Sequence, residues 1–390
     1  MKREYSELNM GRLIYGRGSI AFLKQFSGQN VAVIYDSNVL GEAKREKLQE
    51  LIGGDVRFIA DITAEPVFSD IQKALKELGA FKPDIFVAIG GGSVMDIAKA
   101  VWLYHDHPDL AFEDAFKPFQ LPKPTGKSSI VAVPTTSGTG SETTCAAVFT
   151  NDETQEKHLI LGFEIVPEIA ILDPDFTDTL PKAIAAHTGM DALSHAIEAS
   201  VCLASSPIII STALGATIDI LQNLPVSVNE NDPEKRGKAR ELVHYAATMA
   251  GVAINNSSAG LAHALDQAGP YFNIPHGLIC GLMLPYTTAF HSPHPVYVDL
   301  ASRLALAGSD DREKCQALVD YLWDFNTEVG IAHSYSELGI DERDFMAKIP
   351  DFAAIVEYSM AARLSPRQPS VEEAEEILRA AYYGEKPLVK

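Results

Sequence analysis

The sequence predicts two successive architectures, an α/β amino-terminal half built on a parallel sheet and an all-α carboxy-terminal half, and two observations carry that expectation. Short β-rich runs first alternate with helical patterns: Val31 to Tyr35, Gly41 to Leu51, Val56 to Ile59, Asp70 to Leu78 and Asp84 to Ile89. That rhythm is the pattern of parallel strands joined by crossover helices. After Ile171, Leu172, Asp173 and Pro174, read as a last strand and a turn, the β-rich runs nearly stop and long alanine- and leucine-rich helical stretches follow. The expected domains are therefore residues 1–181 and 182–390, with a site in the cleft between them.

A chain of 390 residues exceeds what one hydrophobic core usually fills, which agrees with two domains. With 46% hydrophobic and 22% charged residues it should fold throughout. Lysine and arginine total 32 against 52 acidic residues, a net charge of -20 that would repel a phosphate backbone or an anionic membrane. Nucleic-acid and membrane partners are thus disfavoured. The start, MKREYSELNMGRLIYG, is polar where a signal peptide needs an apolar run, and no later run reads as long enough to span a bilayer. A cytoplasmic location is expected. Cys145, Cys202, Cys280 and Cys315 are scattered, without a CxxC pair, and read as reduced core or lining thiols.

In the α/β half, the segment DIFVAIGGGSVMDIAK is an apolar strand running into Gly90, Gly91, Gly92 and Ser93 and then a helical pattern. Glycines let backbone amides approach an anion closely, and the start of a helix favours negative charge. The same turn also serves as an ordinary strand-to-helix connection. A second loop, Pro134 to Glu142, follows the strand Ser129 to Val133 and concentrates hydroxyls with two glycines. Its hydroxyls suit a phosphate, a ribose or a carboxamide, or a capping box before Glu142 on a following helix. Two such loops favour a Rossmann-like, dinucleotide-binding domain. Asp36 ends the strand VAVIYD, where a carboxylate can accept from ribose hydroxyls and repel a 2′-phosphate, favouring NAD over NADP. An aspartate there is also a common turn former.

In the helical half, Asp191 and His195 stand at i and i+4 on one helical face within GMDALSHAIE. Alone they could be a local pair. His263 lies in GLAHA, and His276 lies in PHG before an apolar helix, so one aspartate and three histidines offer a divalent-metal ligand set. The remaining histidines, at 105, 107, 158, 187, 244, 291, 294 and 333, lack such a setting.

Taken together, GGGSVMDIAK, PTTSGTGSE, GMDALSHAIE and GLAHALDQAGPYFNIPHG resemble, in this order and over nearly the whole chain, the iron-containing (group III) alcohol dehydrogenase family. The similarity includes Tyr15-Gly16-Arg17-Gly18, Lys157 and the Asp173-Pro174 pair. The resemblance implies reversible hydride transfer between NAD(H) and a small alcohol or aldehyde, with the metal acting as a Lewis acid on the substrate oxygen. It implies Gly91, Gly92, Ser93 and Asp96 at the pyrophosphate and nicotinamide side, and Thr135, Thr136 and Thr139 along the cofactor. Asp36 is implied at the adenosine ribose, Lys157 toward the nucleotide, and Asp191, His195, His263 and His276 at the metal. Fe2+ is the implied ion, and zinc, nickel, cobalt or manganese would also suit such a set. A homodimer or higher homo-oligomer is expected.

The His263 segment departs from the family. Many relatives carry a second histidine four residues on, where this chain has Gln267, and the interval to His276 is one residue shorter. If 263 and 267 share a helix face, Gln267 points toward the substrate as a catalytic-site amide, and proton relay falls to Asp266, a water or the ribose hydroxyl. An amide there suits an aldehyde with a polar or anionic tail, whether carboxylated, sulfonated or phosphonated. Rival readings are a metal enzyme resembling glycerol dehydrogenase or dehydroquinate synthase, and a non-enzymatic nucleotide-binding protein on the same fold.

Overall fold

A computed structural model describes residues 7–63, 65–152 and 157–390. The chain divides into two compact units, Met1–Thr179 and Leu180–Lys390. The division falls two residues before the boundary drawn from sequence because Leu180 packs with the helical core.

The amino-terminal unit runs β1 (Arg12–Tyr15), β2 (Val31–Tyr35), α1 (Glu42–Ile52), β3 (Val56–Asp61), α2 (Phe68–Leu78), β4 (Ile85–Gly90), α3 (Gly92–Asp106), α4 (Phe112–Ala115), β5 (Ser129–Pro134), β6 (Ala146–Thr150), β7 (Lys157–Leu161) and β8 (Ile169–Leu172). Six strands form one sheet in the order β1-β8-β5-β4-β2-β3. Every pairing in it is parallel. β2 and β4 are buried along their whole length, which is why they read as unbroken apolar runs rather than alternating ones. Ala32, Ile34, Phe86, Ala88, Ile130 and Ala132 feed the core on one face, while Val31, Val33, Val87, Ile89, Val131 and Val133 feed the other.

Two strands here carry no helix-to-strand rhythm and escape the sequence pattern: β6 and β7 pair antiparallel as a separate two-stranded ribbon. The capping-box alternative for Glu142 is overturned, because a turn from Gly140 to Thr143 leads into β6 and no helix follows. The reason lies beneath the loop. Lys99, fully buried on α3, donates through Nζ to Ser141 Oγ at 2.7 Å, Thr144 O at 2.9 Å and Ala146 O at 2.8 Å, pinning the turn and the start of β6 against α3. At the sheet edge, Asp173 accepts from the backbone N–H groups of Gly18 and Ile20, and Arg17 pairs with Asp175 and Asp178. The YGRG turn and the Asp173-Pro174 pair, far apart in sequence, are thus one feature.

The carboxy-terminal unit is helical among its described residues: α5 (Lys182–Val201), α6 (Pro207–Asn229), α7 (Pro233–Asn255), α8 (Leu261–Ala264), α9 (Ala268–Phe272), α10 (His276–Phe290), α11 (Pro295–Arg303), α12 (Asp311–Val329), α13 (Glu342–Ala353), α14 (Met360–Arg363) and α15 (Val371–Tyr383). α5 is buried continuously from Gly189 to Val201, so it is a core helix surrounded on all sides. Close approaches to it depend on glycine. A Cβ on Gly277 of α10 would lie 2.1 Å from the His187 carbonyl oxygen, and one on Gly189 would lie 2.3 Å from Leu224 of α6. One sequence expectation is corrected here: α6 is long and apolar enough to cross a bilayer, its most apolar window having a mean hydropathy of 1.3. Ile209, Ala213, Leu214, Ile220, Leu221 and Leu224 on this helix are nevertheless buried within the protein. All four cysteines are free and buried.

Candidate metal centre and nucleotide turn

Three segments of the carboxy-terminal unit converge on one oxygen. Asp191 Oδ1 lies 3.6 Å from Nε2 of His195, 3.5 Å from Nε2 of His263 and 3.4 Å from Nε2 of His276. Asp191 and His195 come from one face of α5, His263 from α8, and His276 from the first residue of α10. The Asp191 side chain is 4% exposed, and both its Oδ1 and Nε2 of His263 are buried without a hydrogen-bond partner. Orphaned, buried, electron-rich atoms facing one another are costly unless something positive joins them. An N/O donor set of this kind fits a divalent transition-metal ion.

Two further carboxylates aim the imidazoles. Nδ1 of His263 meets Glu198 Oε2, and Glu198 also accepts from Gly260 N at 3.0 Å and Ala262 N at 2.6 Å. Nδ1 of His276 meets Asp266 Oδ2. With each Nδ1–H donating outward, each Nε2 lone pair is left facing Asp191, the usual support for a metal-ligating histidine. Sequence reasoning gave Glu198 no role although it stands seven residues after Asp191 on the same helical face, and that spacing was the available signal. Asp266 entered the sequence reading only as a proton relay. Cys280, read as a core thiol, sits beside the group: one ligand atom each from Asp191, His263, His276 and Cys280 lie within 4.8 Å of one another.

The electrostatics follow from burial and neighbours. Burial would raise the Asp191 carboxyl, but the adjoining imidazoles outweigh it and hold the group well below the ordinary range. Burial pushes His195 down to about 4, so its imidazole is neutral at neutral pH. For His263 and His276 burial acts downward, yet Cys280, Glu198 and Asp191 raise the first and Cys280, Asp266 and Asp191 raise the second, both well above the ordinary value. The cluster is built to hold positive charge.

Gln267 is not on the helix of His263. α8 ends at Ala264, a turn covers residues 265–267, and Gln267 is the residue preceding α9, with Nε2 donating to Ala264 O at 3.3 Å. The shared-face premise for the 263/267 pair therefore fails, because the helix that would carry it stops at Ala264.

In the amino-terminal unit, the strand order reverses between β2 and β4: the chain leaves β2 for β3 on one side and β4 for β5 on the other. Ligands of open parallel sheets bind outside the carboxyl ends of strands at such a point. Asp36 and the Gly90–Gly92 turn stand there, with Asp36 N donating to Ile89 O at 3.2 Å. Gly91 precedes the first turn of α3, which has neither a side-chain cap nor an acidic residue. Thr136 and Thr139 of the second loop lie against Gly91 and Gly92, and Thr135 N donates to Gly90 O at 2.9 Å. The two loops thus form one surface. Ser93 is half-buried in the first turn of α3, while Asp96 accepts from Ser141 Oγ and Val148 N and is engaged within the protein. Asp36 Oδ1 accepts from Asn38 N at 2.8 Å, so its turn-forming role is real. Lys157 is exposed at the start of β7.

A family model described as iron-containing alcohol dehydrogenase matches residues 11–174, and one for the C-terminal domain of that family matches 185–382. An NADPH-dependent butanol dehydrogenase of Clostridium saccharobutylicum is 33% identical over 95% of this chain and 96% of its own. An alcohol dehydrogenase of Thermococcus barophilus is also 33% identical, over 95% and 98% respectively. Among solved structures, an iron-containing alcohol dehydrogenase from Thermococcus thioreducens superposes with a TM-score of 0.88 at 31% identity, covering 98% of this chain and 100% of its own. A sulfoacetaldehyde reductase from Bifidobacterium kashiwanohense in complex with NAD+ does so with 0.85 at 25% identity, covering 98% and 99%.

Proposed function

The chain belongs to the iron-containing alcohol dehydrogenase family, and from that membership we propose that it transfers a hydride between NAD(H) and a small alcohol/aldehyde pair, working as an aldehyde reductase with Fe2+ on Asp191, His195, His263 and His276. The observation that carries this reading is the convergence of three imidazole Nε2 atoms on a buried, otherwise unpartnered Asp191 Oδ1. A divalent cation held there supplies Lewis acidity toward the oxygen of the alcohol or aldehyde. Glu198 and Asp266 fix the ring orientations of His263 and His276, so the cage keeps its shape without rearranging during turnover. In the other unit the free amides at the start of α3 bind the pyrophosphate, with Thr135, Thr136 and Thr139 lining the cofactor.

Preference for NAD over NADP rests on Asp36, whose carboxylate meets the place a 2′-phosphate would take. The NADPH-dependent relative makes this a sharp question. The substrate reading is a short aldehyde with a polar or anionic tail, supported by the likeness to a sulfoacetaldehyde reductase. NADH oxidation with a panel of neutral and anionic short aldehydes, with and without a chelator, tests the whole. Metal-dependent turnover with NADH favoured, and a preference relaxed by Asp36→Gly, is expected. Turnover that survives chelation with no stoichiometric metal would refute the metal reading, and equal efficiency with both cofactors would refute the NAD reading. Unchanged substrate ranking and pH profile in both Gln267→Ala and Gln267→His would remove Gln267 from the site.

A further inference from the structure

Cys280 stands one helical turn after His276 on α10 and is fully buried. Its Sγ is 3.6 Å from Nε2 of His276 and 3.8 Å from Nδ1 of the same ring. Such similar distances leave the sulfur off the line of the Nε2 lone pair. It is nonetheless part of the mutual 4.8 Å group formed with Asp191, His263 and His276, a group that His195 does not join. Two of its members point to a ligand independently of the thiol. Asp191 Oδ1 and His263 Nε2, on side chains 4% and 10% exposed, are buried and unpartnered. The triad Asp191, His263 and His276 therefore has two different candidates for a fourth donor, the nitrogen of His195 and the sulfur of Cys280.

We propose that Cys280 is an alternative metal ligand: a soft divalent cation such as Zn2+ or Co2+ recruits its thiolate in place of His195, while a harder ion keeps the nitrogen and oxygen set. This rests on the metal reading above. Bonds of about 2.0 Å to nitrogen and about 2.3 Å to sulfur at a tetrahedral angle set the two donor atoms about 3.6 Å apart. The observed spacing to Nε2 already matches, so the change required is a swing of the sulfur about the Cα–Cβ bond of Cys280 toward the lone-pair side. As the metal–sulfur bond forms, the thiol proton leaves to solvent. Nothing is oxidised or reduced. Thiolate favours zinc over ions that prefer carboxylate and water, so Cys280 sets which metal the protein retains.

The test loads the full-length, metal-free protein with Co2+ and records its near-ultraviolet spectrum together with bound metal per chain. A thiolate-to-cobalt charge-transfer band is expected in the unaltered protein, absent from Cys280→Ser and retained in His195→Ala. In Cys280→Ser the preference for Zn2+ over Mn2+ should fall by at least about tenfold, the scale on which such sites respond to ligand changes. One bound Co2+ per chain without the band, or a band that persists in Cys280→Ser, overturns the assignment while leaving the metal site standing. Absence of any bound Co2+ in the unaltered, folded protein overturns the metal reading and this proposal together.

Discussion

The candidate nucleotide turn and the candidate metal cage solve opposite physical problems. At the turn the essential feature is missing atoms: a Cβ on Gly90 would lie 2.2 Å from Val94 Cγ2, and one on Gly92 would lie 2.8 Å from Thr139 Cγ2. At the cage it is buried charge, with two carboxylates aiming two imidazoles and a third facing all of them. Shape governs the first and electrostatics the second. A substitution that keeps shape and removes charge should therefore be nearly silent at the turn and severe at the cage, and one that adds a methyl should do the reverse.

Asp191→Asn is the largest expected effect, because the side chain keeps its size while the oxygen on which the three Nε2 atoms converge loses its negative charge. Lewis-acid stabilisation amounts to several kcal/mol, and each 1.4 kcal/mol or so is a factor of about ten, so turnover should fall by at least about a thousandfold. Bound metal should become substoichiometric. Glu198→Gln, one step removed, should lower metal affinity by about 10- to 100-fold. Elemental analysis beside steady-state rates checks both, and full metal content with near-normal turnover in Asp191→Asn would break the comparison.

The turn gives the converse and smaller effect. Gly92→Ala adds one methyl against Thr139, and overpacking of this kind costs about 1–3 kcal/mol. The expected result is a KM for NADH raised about tenfold with metal content unchanged. Thr139→Ser in the same chain removes the obstructing Cγ2 and should restore most of the loss. If the double variant binds NADH no better than Gly92→Ala alone, the close packing of the two loops is not what the glycine serves.

The same contrast explains what was legible in the sequence. The alternating rhythm and the unbroken apolar β2 and β4 announce a covered parallel sheet, since burial on both faces leaves no room for polar alternation. Asp191 and His195 declare a shared helical face through their spacing. The ribbon of β6 and β7 was hidden because its support is a single buried ammonium, Lys99, whose partners lie more than forty residues on. Asp266 was hidden as a metal-site support because it orients His276 across a turn and a short helix that local spacing does not encode, whereas Glu198 was marked only by its seven-residue step from Asp191 on one helix. Gln267 shows the converse failure: its i+4 spacing is real, but the helix that would give that spacing meaning stops at Ala264.

The smallest effect separates the units by their response to acid. His244 and His291, both in the helical unit, are held neutral by burial, each with its pKa pushed down to about 4. The unfolded chain binds a proton at each of these positions below about pH 6.5, whereas the folded chain does not until near pH 4. Within that window the unfolded state binds more protons, so stability falls as pH falls, by up to about 1.4 kcal/mol per pH unit for each histidine. The loss levels off below about pH 4, where both states are protonated. Saturating metal keeps the cage histidines deprotonated and removes their share from the measurement. Denaturant unfolding at pH 7 and pH 5 should then show a drop that is reduced in His244→Gln and in His291→Asn, the latter retaining a donor for the Arg367 carbonyl that His291 Nε2 now contacts at 3.1 Å. Hydrogen exchange should report earlier loss of protection in α7 and α10 than in β2 and β4. An equal loss in both units, or an acid sensitivity that neither substitution alters, would mean that these buried imidazoles do not set the difference.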